Sequence, residues 1–198
     1  MLFDLTLRDR VLKGQYIEQM SDEEFFHFCQ DNRDFKFERT TDGQIIFISP
    51  TTFLTGDRNR EIIMQLSLWN NQYKLGRAVD SDTGFYLPNG AMRNPDTAWI
   101  SNERLKNLPA EELNSFPHIV PDFIVELKSK RDRMEDLKLK MQEWMANGCL
   151  LGWLIDADDE LVYVYADGKE EIHKGFDAPI SGEPILKGFQ LILSALRL

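Results

Sequence analysis

The chain has 198 residues, 42% hydrophobic and 28% charged, enough to bury a core and within the usual range of one domain, so a single domain over 1–198 is expected. A net charge of −10 and a pI near 4.8 exclude a nucleic-acid binder that relies on a broadly basic surface. No apolar run approaches the ~20 residues of a membrane span, and Met1-Leu2-Phe3-Asp4 lacks the basic region and apolar block of a signal peptide, so a cytoplasmic protein with no membrane partner is expected.

In chain order, Ser21-Asp22-Glu23-Glu24 reads as a helix start, with Ser21 as N-cap and Glu24 closing a capping box, and the helix ends near Asn32. Residues 35–39 and 44–48 flank Asp42-Gly43, a pair that favours a tight hairpin turn because both positions tolerate positive φ. Ile62, Ile63, Leu66 and Trp69 recur at helical spacing and predict a long amphipathic helix from about Asp57 to Tyr73, ended by Gly76. Short strands follow near 77–80, 84–87 and 96–100, then a weakly helical segment over 102–115. The apolar strand 122–128 leads into a helix over 134–147 closed by Gly148. A second hairpin, 150–156 and 160–165, turns at Ala157-Asp158-Asp159. This order predicts an α/β protein, a mixed β-sheet flanked by helices with added β-hairpins. Cys29 and Cys149 stand alone, without metal-ligand spacing, and read as reduced, core-facing thiols.

Two elements carry chemistry. Asn94-Pro95-Asp96 precedes one strand, and thirty positions on, Glu126-Leu127-Lys128 ends the apolar run Phe123-Ile124-Val125. Strand side chains alternate faces, so Glu126 and Lys128 project together and can share a site with Asp96. Two carboxylates and an ammonium suit metal-dependent phosphodiester hydrolysis, in which hard oxygen ligands hold Mg²⁺ or Mn²⁺ and a cation stabilises phosphate charge. Taken singly, Pro-Asp is a common turn and Glu-x-Lys a common surface ion pair, worth ~1 kcal/mol or less. The end of an apolar strand is not where such a pair is needed. Asp122 shares the parity of Glu126 but lies about 13 Å away along an extended strand, which suits a capping role better. Glu61, on the long helix, is a second-tier metal ligand. Lys130, Arg131, Arg133 and Lys140 belong to a local positive excess that could hold phosphates beside the site; Lys138 belongs equally to a solvated helix face. Trp99, Trp144 and Trp153 read as core, and His27, His118 and His173 as isolated.

With these residues in place the chain resembles the PD-(D/E)XK nuclease superfamily, and more narrowly the Uma-two type of restriction-endonuclease-like protein. Ser49-Pro50, the run Gly84 to Gly90, Pro95-Asp96, Pro121-Asp122 and Glu126 occur in the family's order, followed by Ser129, Asp132, Arg133, Leu137, Lys140, Trp144, Gly148, Trp153 and Asp156. The family-like core covers 43–191, with 1–40 as an N-terminal extension. A histidine frequent before the family's long helix is replaced by Thr55-Gly56-Asp57, and an acidic residue after the glycine by Leu151. The resemblance implies an endonuclease acting on DNA, with the backbone carbonyl of Leu127 completing the metal ligands, and a homodimer for double-strand cutting. Two other readings compete. One is a catalytically silent module on the same fold that binds nucleic acid or protein, linked to mobile elements or defence. The other is a two-carboxylate glycoside hydrolase, disfavoured by Lys128 and by the lack of an aromatic sugar platform.

Overall fold

The computed structural model describes residues 11–12 and 15–197; the reading of Met1–Asp4 lies outside them. The chain opens with β1 (Val11–Leu12) and the short helix α1 (Gln15–Glu18). Helix α2 (Asp22–Asp31) starts with the expected reciprocal cap: the Glu24 N–H donates to Ser21 Oγ at 3.2 Å, and the Ser21 N–H to Glu24 Oε2 at 2.8 Å. It ends at Asn32.

Strands β2 (Lys36–Arg39) and β3 (Ile45–Ile48) pair antiparallel, Lys36 opposite Ile48 and Arg39 opposite Ile45. Their connection is longer than the expected tight turn. The Thr40 N–H donates to the Gln44 carbonyl and the Gly43 N–H to the Thr40 carbonyl, so Thr41, Asp42 and Gly43 form the loop. Gly43 takes the left-handed φ of +82°, and Asp42 does not join it there.

Helix α3 (Phe53–Tyr73) begins four residues ahead of Asp57, because Thr52 accepts the Thr55 N–H and supplies a cap that the apolar spacing did not reveal. Lys74, not Gly76, takes the left-handed terminal position, with φ 54°. Gly76 instead opens β4 (Gly76–Asp80), where a Cβ would fall 2.1 Å from the Ile100 carbonyl oxygen; its smallness permits strand approach.

The chain continues through β5 (Phe85–Tyr86), β6 (Met92–Arg93), β7 (Thr97–Ser101) and α4 (Asn102–Leu105). A 3₁₀ turn at Ala110–Asn114 precedes β8 (Phe123–Leu127), then come α5 (Met134–Ala146), β9 (Leu151–Asp156) and β10 (Leu161–Ala166). The segment after the second hairpin adds β11 (Lys169–Lys174), β12 (Ile180–Ser181) and β13 (Gln190–Leu191), none of which the sequence reading named.

A six-stranded sheet of order β11-β10-β9-β8-β7-β4 forms the centre. Its β8 and β9 run parallel, joined through α5 as a crossover, and every other pair is antiparallel. The sheet is therefore mixed and covered by helices on both faces, as the element order predicted.

Alternation along β8 assigns the faces. Phe123, Val125 and Leu127 join Ile62, Leu66 and Trp69 of α3 in one core, and Ile124 joins Met141 and Trp144 of α5 in another. A second sheet, β1-β3-β2-β6-β5, packs against α2 around Phe25, Phe37, Ile45 and Met92. Trp99, Trp144 and Trp153 are buried as expected, and so is the free thiol of Cys149; Cys29 is half-buried. No described helix is long and apolar enough to cross a membrane.

Candidate active site

A cleft of about 1100 Å³ opens where β8 leaves the sheet. Its walls come from the β2–β3 hairpin, the first turn of α3, the loop after β8 and one face of α5, and Asp96 and Glu126 both line it. The topology explains the convergence: β7 and β8 are adjacent and antiparallel, with Thr97 opposite Val125, so Asp96 just before one strand lies beside Glu126 near the end of the other.

Glu126 follows Ile124 onto the α5 face and is only 3% exposed. Both of its side-chain donors come from α5. Trp144 Nε1 donates to Oε1 at 3.1 Å, and Lys140 Nζ lies 2.9 Å from Oε1 and 3.0 Å from Oε2. Burial pushes the Glu126 carboxyl up to about 7; the Lys140 charge opposes this, and the neighbouring Asp96 and Glu38 carboxylates reinforce it. The protein supplies less positive charge here than an ionised Glu126 requires.

Asp96 Oδ2 accepts the Leu127 N–H at 2.7 Å, and Oδ1 accepts Asn59 Nδ2 at 3.1 Å. Burial raises its carboxyl too, opposed by the Leu127 hydrogen bond and by the charges of Lys140 and Lys36. Lys36 lines the cleft and donates to the Ser81 carbonyl.

Lys128 reaches the cleft with Glu126 but takes a different partner. It lines the cleft, but its ammonium pairs with buried Asp156 at 2.8 Å, and that hydrogen bond raises its pKa. The reason is the parallel register: Leu127 stands opposite Ile155, so Lys128, just past the end of β8, meets Asp156, the last residue of β9. The ammonium beside Glu126 belongs to Lys140, which the sequence reading placed among the substrate-binding residues.

Other candidates separate in the same way. Lys130 and Arg131 line the cleft. Arg133 is largely exposed at the start of α5, 3.9 Å from Glu135, and outside the cleft lining. Glu61 accepts from Gln65 and Arg60 and does not line the cleft; the α3 residue that reaches Asp96 is Asn59, two positions earlier. Lys138 pairs with Glu170 at 2.7 Å and lies over the Tyr163 ring. Asp122 fulfils its capping role, accepting the Ser101 N–H at 2.7 Å and pairing with Arg104 at 2.8 Å. His118, read as isolated, bridges Asp22 and Glu112 away from the cleft.

Two residues absent from the sequence reading, Glu38 and Arg93, complete the floor. Glu38 on β2 is 4% exposed and lies 2.7 Å from Lys140 Nζ. It also accepts the Asn94 N–H at 3.1 Å and pairs with Arg93 at 3.1 Å, while Arg93 is held by Glu143 at 2.6 Å. Although burial pushes Glu38 upward, Lys140 and Arg93 together hold its carboxyl below the ordinary range. The one available signal was a charged residue flanked by Phe37 and Arg39 in a short strand, which is also what an exposed strand face looks like.

Among the described residues no three Asp, Glu, His or Cys side chains form a ready metal cage. The donor chemistry nevertheless fits a hard divalent cation that keeps several waters: two carboxylates at one point, both with raised pKa values through burial.

Known proteins share this arrangement of elements. No curated protein matches the chain. A crystal structure at 1.96 Å, described as "a putative nuclease belonging to DUF820 from Anabaena variabilis ATCC 29413", shares the fold with a TM-score of 0.69 at 20% identity, covering 81% of this chain and 88% of that one. Residues 22–195, most of the chain, match the Uma2 family, described as "Putative restriction endonuclease", and the chain belongs to that family.

Proposed function

We propose that the cleft is the active site of a metal-dependent endonuclease that hydrolyses DNA phosphodiester bonds. The observation that supports this most directly is that half-buried Asp96 and buried Glu126 share one cleft, where burial raises both carboxyls and the Asp96 charge adds to the rise at Glu126. Asp96, Glu126 and the Leu127 carbonyl would hold Mg²⁺ or Mn²⁺. When bound, such a cation activates water and neutralises charge on the phosphate.

The chain's own residues do the rest. The Leu127 N–H and Asn59 fix the Asp96 carboxylate from two sides. Trp144 fixes the orientation of Glu126 without adding charge. Lys140, half-buried beside Glu126, is the cation positioned to stabilise developing phosphate charge, the role the Glu-x-Lys pattern assigned to Lys128. Its pKa is raised because the Glu126 and Glu38 carboxylates outweigh the effect of burial, so it acts as an ammonium and not as a base. Lys128, anchored to Asp156, adds positive charge at the cleft, and Lys130 and Arg131 would hold flanking phosphates. Double-strand cutting needs two such sites, which a homodimer would supply.

One observation favours a silent binding module instead: each oxygen of Asp96 and Glu126 already accepts an internal hydrogen bond. Plasmid cleavage at low salt with Mg²⁺ or Mn²⁺ separates the two readings. Cleavage that disappears in both Glu126→Ala and Lys140→Ala supports the nuclease. Absence of cleavage on DNA and on RNA, or equal cleavage in every variant, favours the module.

A further inference from the structure

The Lys140 ammonium is oversubscribed. Its three protons face four acceptors: Glu38 Oε1 at 2.7 Å, Glu126 Oε1 at 2.9 Å, Glu126 Oε2 at 3.0 Å and the Asn94 carbonyl at 3.1 Å. Two carboxylates from different sheets therefore compete for one cation. They differ in how firmly each is held. Glu38 is clamped by the Asn94 N–H and by Arg93, and Arg93 is itself clamped by Glu143 of α5. Glu126 has Trp144 as its remaining side-chain donor.

We propose that Glu38 is a positioning residue that retains the Lys140 ammonium when Glu126 is released to a divalent cation, so that Lys140 changes partner without leaving the cleft. This rests on the metal-dependent reading above and adds a condition to it. A cation arriving at Asp96 and Glu126 competes with an ammonium already there, and a like charge so close would be repelled unless the ammonium had another carboxylate to turn to. Glu38 and the Asn94 carbonyl provide that alternative. Without Glu38, Lys140 has Glu126 as its sole carboxylate partner and holds it against the metal.

The arrangement makes an unusual demand on a double-mutant cycle: removing a carboxylate weakens cation binding, and removing a lysine restores it. Mn²⁺ binding to the full chain, measured by titration calorimetry and by the electron paramagnetic resonance of free Mn²⁺, tests it without reference to turnover. Glu38→Gln should weaken Mn²⁺ binding about tenfold, and Glu38→Gln combined with Lys140→Met should recover affinity to within about threefold of the unsubstituted chain, a coupling of ordinary size for linked sites. Glu38→Asp keeps the charge on a shorter arm and should fall between; it serves as the test variant if Glu38→Gln unfolds, with Glu38→Asp combined with Lys140→Met closing that cycle. At saturating Mn²⁺, Glu38→Gln should lower kcat and leave the KM for DNA near its original value.

Unchanged Mn²⁺ affinity in the folded Glu38 variants overturns the inference while leaving the metal site standing. Weakened affinity that Lys140→Met fails to restore also overturns it, since Glu38 would then be a direct ligand. No Mn²⁺ uptake by the unsubstituted chain overturns the metal-dependent reading and this inference with it.

Discussion

Strand β8 carries a buried carboxylate near each end, and the two have opposite surroundings. Asp122, just before the strand, accepts a backbone N–H and a guanidinium from one short stretch, Ser101 and Arg104, and its own carbonyl receives the N–H groups of Leu150 and Leu151. Together these partners lock α4 and the start of β9 to the sheet. Glu126 takes its side-chain donors from α5, shares its ammonium with Glu38, and feels Asp96 as a neighbouring charge. A buried carboxylate with one dedicated cation is a latch. One that shares a cation among several carboxylates leaves charge uncompensated, which a cleft open to solvent can use for binding.

The sharpest test of this contrast is to neutralise each end in turn. Glu126→Ala should abolish metal-dependent cleavage, a loss of about 10³-fold or more, as expected when a charge-stabilising group is removed. Asp122→Asn should leave cleavage per folded molecule close to its original value but destabilise the chain by about 2–4 kcal/mol in urea, because Arg104 loses its buried partner. Loss of cleavage without loss of stability in Asp122→Asn would erase the distinction.

The two lysines refine it. Lys140→Met should lower kcat about 10²-fold, whereas Lys128→Met, which leaves Asp156 without its partner, should change kcat by only about threefold while lowering the unfolding midpoint. The reverse ranking would return the catalytic role to the Glu-x-Lys pattern.

A pH titration probes Glu126 without substrate. Its folded pKa is raised from 4.5 to about 7, so the folded state binds a proton more tightly than the unfolded state. This site's contribution to stability is fully present below pH 4.5 and is lost as pH rises through about 7. In the metal-free protein, the slope of unfolding free energy with pH across that window should therefore flatten by the equivalent of about one proton in Glu126→Gln. An identical slope in the variant would place the uncompensated charge elsewhere.

The smallest effect concerns the cleft edge. Lys130→Ala or Arg131→Ala should weaken DNA binding a few-fold and reduce the salt slope by about one unit each, whereas Arg133→Ala, outside the cleft lining, should leave that slope unchanged.

Much of the fold was legible because its signals are local. The Ser21/Glu24 cap, the two hairpins, the repeat of Ile62, Leu66 and Trp69, and the stop at Gly148 each depend on residues within a few positions of one another. Boundaries slipped where one side chain or one loop decided them: Thr52 extends α3 backward, and the Thr40–Gln44 pairing lengthens the first hairpin loop. The strands after Ala166 went unread because they are short or dominated by charge, as in Lys169–Lys174.

Within the site, chain order and strand alternation were enough to bring Asp96 and Glu126 toward one place and to put Lys128 on the face of Glu126, because alternation follows from backbone geometry alone. Which ammonium reaches which carboxylate was settled by packing between distant segments. That outcome depends on the parallel register that brings Asp156 to Lys128, on the α5 crossover that lowers Lys140 onto Glu126, and on the hairpin that delivers Glu38 from a second sheet. A charged side chain takes the nearest partner that compensates its burial, and no spacing along the chain records how near that partner will be.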